Sequence, residues 1–264
     1  MTAEGSRGTR VERAAALLAR SRRDGRPFAG FDDDLRPRDS AEAYAIQAAL
    51  HALLSARGDE AVGWKIGCTT PAMQEYLGIR EPAAGRIRAA SVQDGPGRVV
   101  RAGLTRPGVE CELAVRLAAD LAAPCDREAA RAAIGSVLAA IEIVDERYDD
   151  WRALDAATLT ADDFFGAGAI LGREDVPWRE LDLGAVTATM RINGEDVGSG
   201  SGADILGDPL EALLWLVHGP ARETGLRAGS IVLLGSLVVT RWVEQGDVVT
   251  IDNVPFGSVS VEFV

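Results

Sequence analysis

The chain has 264 residues, a mass of 27.9 kDa and a formal net charge of −12. A hydrophobic share of 47% excludes global disorder. The acidity excludes a general binder of nucleic acid or of anionic membrane surfaces. Lys65 is the only lysine, so all other Lys/Arg positions are arginine. It stands in the apolar, glycine-flanked stretch Gly63-Trp64-Lys65-Ile66-Gly67. Either it survives a bias toward arginine, or this position needs a compact amine that carries and releases a proton, which guanidinium does not do.

The three cysteines, Cys68, Cys111 and Cys125, are widely spaced and form no Cys-x-x-Cys, so neither a disulfide scaffold nor a zinc knuckle is indicated. The opening Met-Thr-Ala-Glu-Gly-Ser-Arg has no apolar core of a signal peptide, and no run of about 20 apolar residues follows. A reducing cytoplasm is the expectation. His51 and His218 are the only histidines, which leaves little material for histidine metal sites or Ser-His-Asp triads. Both are expected at a helix surface or end.

In chain order, Val11 to Arg23 has a helical apolar period, and Phe28 to Arg38 reads as a loop. Ser40 looks like an N-cap for a second helix through Tyr44, Ile46, Leu50 and Leu54, ended by Gly58. Ala61 to Cys68 reads as a strand containing Lys65, and Pro71 to Leu77 as a short helix stopped by Gly78. Gly85 to Gly108 is broken by glycine and proline. Val109 to Leu117 is a strong strand, and Asp126 caps a helix expected to run to about Leu138. Strands are expected at Ala140 to Asp145 and Ala167 to Gly172. Thr187 to Val197 reads as a hairpin turning at Asn193-Gly194. Pro209 to Val217 is helical, and strands follow at Ser230 to Thr240, Asp247 to Asn253 and Ser258 to Val264. Helices dominate the first quarter and strands the rest, without β-α-β alternation. That predicts an α+β fold with a mixed or antiparallel sheet. The run Gly198 to Gly202 lacks the Gly-Lys-Ser/Thr of a phosphate loop.

Glu110 and Glu112 lie two apart in the Val109 to Leu117 strand, so they share a face, roughly 6.5–7 Å apart along the strand. Cys111 points the other way. Glu142 sits in Ile141-Glu142-Ile143, a strand apolar on both faces. Carboxylates are rarely buried unless paired or bound to metal. Three converging acids with no cation next to them in their strands predict a divalent ion, and oxygen-only ligation favours Mg²⁺ or Mn²⁺. For Glu110 and Glu112 taken alone, an exposed polar strand face is the competing explanation. Lys65 beside such a site is pulled toward the charged form by the acids and toward the neutral form by burial.

These residues also carry a resemblance. Gly-Trp-Lys-Ile-Gly-Cys-Thr-Thr (63–70), Val-Glu-Cys-Glu-Leu-Ala (109–114), Ile-Glu-Ile-Val-Asp-Glu-Arg (141–147) and Gly-Ser-Gly-Ala-Asp-Ile-Leu-Gly-Asp-Pro (200–209) resemble the 2-keto-4-pentenoate hydratase and 4-oxalocrotonate decarboxylase family, within the fumarylacetoacetate hydrolase superfamily. So do Leu-Arg-Ala-Gly-Ser-Ile-Val-Leu-Leu-Gly-Ser-Leu (226–237) and Phe-Gly-Ser-Val-Ser-Val-Glu-Phe (256–263). The resemblance runs from about Ala41 to the C-terminus. It implies a mixed β-roll of the fumarylacetoacetate hydrolase C-terminal type (61–264) carrying a helical N-terminal arm (1–60). It implies Mg²⁺ or Mn²⁺ held by Glu110, Glu112 and Glu142, with Lys65 as the active-site lysine and Ser236 lining the substrate pocket. It also implies a homo-oligomer or a complex with a related lyase, and 2-hydroxy-2,4-dienoates or their 2-oxo forms as substrates. Hydration is the implied reaction. Decarboxylation of a 2-oxo-3-enedioate, another C–C lyase or tautomerase reaction, and a low-activity partner subunit are the alternatives.

Two segments depart from the family pattern. After Gly85 the family commonly has an acidic pair, one member working with the lysine, whereas Arg86-Ile87-Arg88-Ala89-Ala90-Ser91 has no acid. Arg88 is therefore a candidate for binding an anionic substrate tail. The family's Asp-Asn-Ala-Ser becomes Asp162-Asp163-Phe164-Phe165, which makes Asp162 and Phe165 candidate substrate contacts and implies a changed pocket shape or polarity.

Overall fold

The computed structural model describes residues 9–264; residues 1–8, which include the opening read above for a signal peptide, lie outside them. Helix α1 (Arg10–Asp24) begins at a capping box in which the Thr9 side chain accepts from the Glu12 N–H and Glu12 reaches back to Thr9. Helix α2 (Ser40–Ser55) is capped by Asp39, one residue before the expected cap, because the Asp39 carboxylate accepts from the Glu42 N–H. The two helices bury Ala14, Ala15, Leu18, Ala43, Ile46 and Leu50 in a core of their own, shared with Leu159 and Phe164 of the main body.

The body holds strands β1 (Ala61–Gly67), β2 (Ala83–Arg88), β3 (Val92–Asp94), β4 (Gly97–Val99), β5 (Pro107–Leu117), β6 (Ile134–Asp145) and β7 (Gly166–Leu171). It continues with β8 (Thr187–Ile192), β9 (Glu195–Ser201), β10 (Ile231–Trp242), β11 (Val248–Val254) and β12 (Gly257–Phe263). Helices α3 (Pro71–Leu77), α4 (Arg127–Ala133), α5 (Ala156–Ala161) and α6 (Pro209–His218) connect them. One seven-stranded sheet runs β2-β1-β10-β5-β6-β7-β3, and a five-stranded sheet runs β4-β12-β11-β8-β9. The pairings β1 with β10, β3 with β7 and β4 with β12 are parallel and the rest antiparallel, so both sheets are mixed. Ile141, Leu213, Val232, Ile251, Phe256 and Phe263 are fully buried in the main core, where many individually small dispersion contacts add up. Among the described residues no helix is long and apolar enough to cross a membrane.

Two elements differ from expectation. The helix after Asp126 stops at Ala133 instead of Leu138, and β6 starts at once. The alanine-rich run carries no boundary signal, and pairing along β5 from Leu117↔Ile134 to Pro107↔Asp145 makes Ile134 to Ala139 strand. Helix α5, between the strands expected at Ala140 to Asp145 and Ala167 to Gly172, is capped by Asp155, whose side chain accepts from the Thr158 N–H.

Candidate active site

Strand pairing assembles the acids. Glu110 on β5 lies directly opposite Glu142 on β6, which places their Cβ atoms about 4.5–5.5 Å apart. Glu112, two residues on, adds a third carboxylate on the same face. One oxygen from each of the three falls within 4.8 Å of the others. Glu112 and Glu142 are buried, and Glu110 is half-buried.

The donors around this cluster are too few. Glu112 Oε2 accepts from the Gly235 N–H at 2.6 Å, and Glu110 Oε1 accepts from the Thr240 hydroxyl. Among the described residues, Glu112 Oε1 and both oxygens of Glu142 find no hydrogen-bond partner. Lys65 Nζ stands 3.3 Å from Glu142 Oε1 as an ion pair, without hydrogen-bond geometry, and donates to the Phe164 carbonyl. Burial, with Glu142 and Glu110 adding repulsion, holds the Glu112 carboxyl well above the usual carboxylate range. Burial also raises Glu142, although Lys65 opposes it. For Lys65, burial favours the neutral amine, but Glu142 and Glu110 outweigh it and keep the ammonium. Two buried acids with orphaned oxygens, a half-buried third and a single facing cation fit a divalent metal: the donor set is all oxygen, and a cation would satisfy the lone pairs that no N–H reaches.

Local backbone shapes the rest. Gly235 has φ +129°, and a Cβ there would stand 2.6 Å from Thr69 Cγ2, so only glycine brings its N–H to Glu112. Next to it Ser236 pairs with Glu112, and its hydroxyl donates to the Val238 carbonyl at 2.7 Å. Asp163, Phe164 and Phe165 are three consecutive side-chain-bearing residues at positive φ (60°, 46° and 67°). This costly turn presents the Phe164 carbonyl to Lys65.

A cavity of about 420 Å³ opens beside the acids. Of the candidate residues, Lys65, Glu110, Ser236 and Phe165 line it; Glu112 and Glu142 sit deeper. Thr240, Gly235, Ser199, Asp204 and Trp151 were not singled out from sequence. The Ser-Gly-Ala-Asp segment quoted for the resemblance was the available signal for Asp204. Cys68 also lines the cavity, where burial pushes its thiol up to about 12 and disfavours the thiolate.

The structure does not bring Asp162 or Arg88 to the cavity. Asp162 is buried against Arg22 and Arg147, at 2.7 and 2.6 Å. Arg88 pairs with Asp59 and, with Arg86, Ser91 and the far sides of Lys65 and Glu142, borders a separate void that holds about one water. No acid from 86–91 enters that void. His51, expected at a surface, is buried and contacts both Asp163 oxygens at 2.8 and 2.9 Å, because α2 turns that face onto the body. His218 is exposed near the end of α6, as expected.

Residues 79–264 match the family model for the fumarylacetoacetate (FAA) hydrolase C-terminal domain. The chain is 36% identical over 258 residues to a 2-keto-4-pentenoate hydratase of Paraburkholderia phymatum, covering 96% of this chain and 97% of that one. It is 33% identical over 227 residues to a 4-oxalocrotonate decarboxylase of Pseudomonas putida, covering 85% of each. A solved structure of the 4-oxalocrotonate decarboxylase of Pseudomonas putida G7, complexed with magnesium and adipate, superposes with a TM-score of 0.90 at 28% identity, covering 96% of this chain and 97% of that one. The chain thus belongs to the fumarylacetoacetate hydrolase C-terminal family, in the branch of the 2-keto-4-pentenoate hydratases and 4-oxalocrotonate decarboxylases.

Proposed function

We propose that the protein is a divalent-metal-dependent hydro-lyase that adds water to a 2-hydroxy-2,4-dienoate, drawn as its 2-oxo-enoate tautomer. The observation that carries this is the set of orphaned, buried carboxylate oxygens of Glu112 and Glu142 beside Glu110, facing one lysine at the end of a cavity. Glu110, Glu112 and Glu142 would hold Mg²⁺ or Mn²⁺; magnesium is named in the complex of the similar decarboxylase. When bound, the cation supplies charge neutralisation and polarises the C1 carboxylate and C2 oxygen of a chelating acid.

Lys65 keeps its proton against Glu142 and the Phe164 carbonyl, and so stands as the general acid that protonates the dienol carbon. As the carbon takes that proton the 2-hydroxyl gives up its own and becomes the C2 carbonyl, which leaves a proton to recharge Lys65; water then adds across the conjugated double bond, its hydroxyl to C4 and its proton to C3. Ser236, its hydroxyl proton committed to the Val238 carbonyl, offers a lone pair to the substrate or to that water. The apolar walls limit solvent at the reacting carbons. Purified protein with Mg²⁺ and 2-hydroxypenta-2,4-dienoate should bleach the dienol absorbance and yield 4-hydroxy-2-oxopentanoate. Lys65→Met should lose at least a hundredfold in kcat while retaining metal. No turnover of any dienoate overturns the assignment.

Decarboxylation of a 2-oxo-3-enedioate is the second reading. It is favoured by the likeness to the decarboxylase structure and by the absence of an acid beside Lys65 in the 86–91 segment. Carbon dioxide release decides for it. Three cysteines without disulfides support a cytoplasmic setting. Assembly as a homo-oligomer, or with a related lyase, completes the proposal, and light scattering on the purified chain tests it.

A further inference from the structure

We propose that the cavity selects acids with one carboxylate and a bulky aromatic or apolar tail, and that Phe165 and Trp151 are the side chains that set this preference. The inference rests on the 2-oxo-acid reading above and adds the class of substrate tail.

Size is the first observation. At about 420 Å³ the cavity is of the size that takes drug-sized ligands, so a five-carbon acid leaves part of it unfilled. Polarity is the second. The charged side chains on its lining are Lys65, Glu110 and Asp204, of which the first two belong to the metal and proton machinery. Asp204, an exposed carboxylate that accepts from the Ser201 N–H at 2.7 Å, borders the remaining space. A second carboxylate on the substrate would meet that charge with no facing cation. Of the nearby arginines, Arg147 holds Asp162, Arg106 pairs with Glu146 over Trp242, Arg152 lies over the Trp151 ring and Arg241 donates to the Val197 carbonyl. None of the four lines the cavity.

The wall itself is the third observation. Phe165 is packed edge-on by Tyr148 at 5.1 Å, Trp151 at 5.6 Å and Phe164 at 5.6 Å, with interplanar angles of 80–85°. Four rings therefore fix one another, and a fixed aromatic wall binds a flat apolar group without paying to order itself. Phe165 adopts φ +67° to reach this place, a conformation an aromatic side chain takes only when its surroundings impose it. The wall begins at the reacting end, where Lys65 Nζ lies 5.1 Å from the Phe164 ring centroid. It continues to the mouth, where Met73, Trp242 and Val239 line the cavity while 43%, 39% and 78% exposed. An apolar tail would cover surface that water now wets.

The test is calorimetric binding of unreactive 2-oxo acids to the Mg²⁺-loaded full chain: 2-oxopentanoate, 2-oxo-6-phenylhexanoate and 2-oxoadipate. The phenyl acid is expected to bind at least tenfold tighter than the five-carbon acid, and 2-oxoadipate at least tenfold weaker than the phenyl acid. Phe165→Ser and, independently, Trp151→Ala should shrink the phenyl preference to within about threefold. A circular dichroism spectrum matching the parent qualifies each variant. Equal affinity for the first two acids, or preference for 2-oxoadipate, overturns the tail assignment while leaving the 2-oxo-acid reading intact. Failure of all three acids to bind overturns both.

Discussion

Two clusters of buried acids lie within one side chain's reach of the same loop, and they have opposite partners. Asp162 and Asp163 are 1% exposed, as is Glu142, while Glu112 is fully buried. Asp162 and Asp163 are surrounded by cations and donors: Arg22 reaches both, Arg147 takes Asp162, and His51 and the Arg86 N–H take Asp163. Glu110, Glu112 and Glu142 have one lysine and oxygens left without donors. A buried acid already paired with arginine is structural cement, here between the N-terminal helices and the loop that carries Phe164. A buried acid left short of donors is a request for a cation that the chain does not supply. Carboxylates as equally hidden as Asp163 and Glu142 thus do two jobs, and only their neighbours distinguish them.

The widest separation is expected from neutral amides. Glu142→Gln and Glu110→Gln should each reduce Mg²⁺ affinity at least a hundredfold and abolish turnover, while the metal-free protein keeps its melting temperature or gains. Glu112→Gln should raise the metal-free melting temperature by a few degrees, since it removes a charge that burial and its neighbours disfavour. Asp163→Asn should do the reverse, costing about 3–5 kcal/mol of stability by leaving Arg22 without its second carboxylate, with Mg²⁺ affinity within a few-fold. Titration calorimetry and thermal melts of the four variants separate the classes. If Asp163→Asn loses metal and keeps its stability, the division is wrong.

pH gives the next contrast, with opposite signs. Burial, opposed by Lys65, raises the Glu142 carboxyl to about 7, so the folded metal-free state binds a proton that the unfolded chain does not. That contribution is complete below the ordinary glutamate value of about 4.3 and is lost as pH rises toward 7. Asp163 is shifted the other way: burial would raise it, but His51 and Arg22 outweigh that and hold it far below the usual range. Its contribution is present above about 3.9 and fades only as pH falls below that. In chelator, the melting temperature should decline between about pH 5 and 7, and saturating Mg²⁺ should remove the decline. A flat profile in chelator would show that the three acids are not in electrostatic conflict.

Much of this was legible in the sequence, for stateable reasons. Lys65 stood out because it has no duplicate, and Glu110 and Glu112 because a strand's period of two puts them on one face. Glu142 was suspicious because apolar residues flank it on both faces. What the sequence did not carry was register: nothing local says that Glu142 pairs across from Glu110 or that Thr240 reaches it. The Asp162 misassignment has the same origin. It adjoins Phe164 and Phe165, which line the cavity, but its partner Arg22 lies 140 residues away in the helical arm. His51 was misplaced for want of Asp163, 112 residues distant. Local period predicts which way a side chain points along its own element; it does not name the element that meets it.

The finest expected effect lies in how each cluster depends on a single hydrogen bond. Asp163 draws on several donors, so losing one leaves it held. Glu110 Oε1 draws on the Thr240 hydroxyl, and Glu110 is the least buried of the three acids. That bond has little to do for the fold, because Glu110 is partly solvated, but it orients the carboxylate that a cation would share. Thr240→Val preserves the branched shape and removes only the donor. It should cost about 1 kcal/mol of stability or less and about tenfold in Mg²⁺ affinity. Unchanged affinity with lowered stability would mean that Thr240 supports the β5–β10 pairing and not the site.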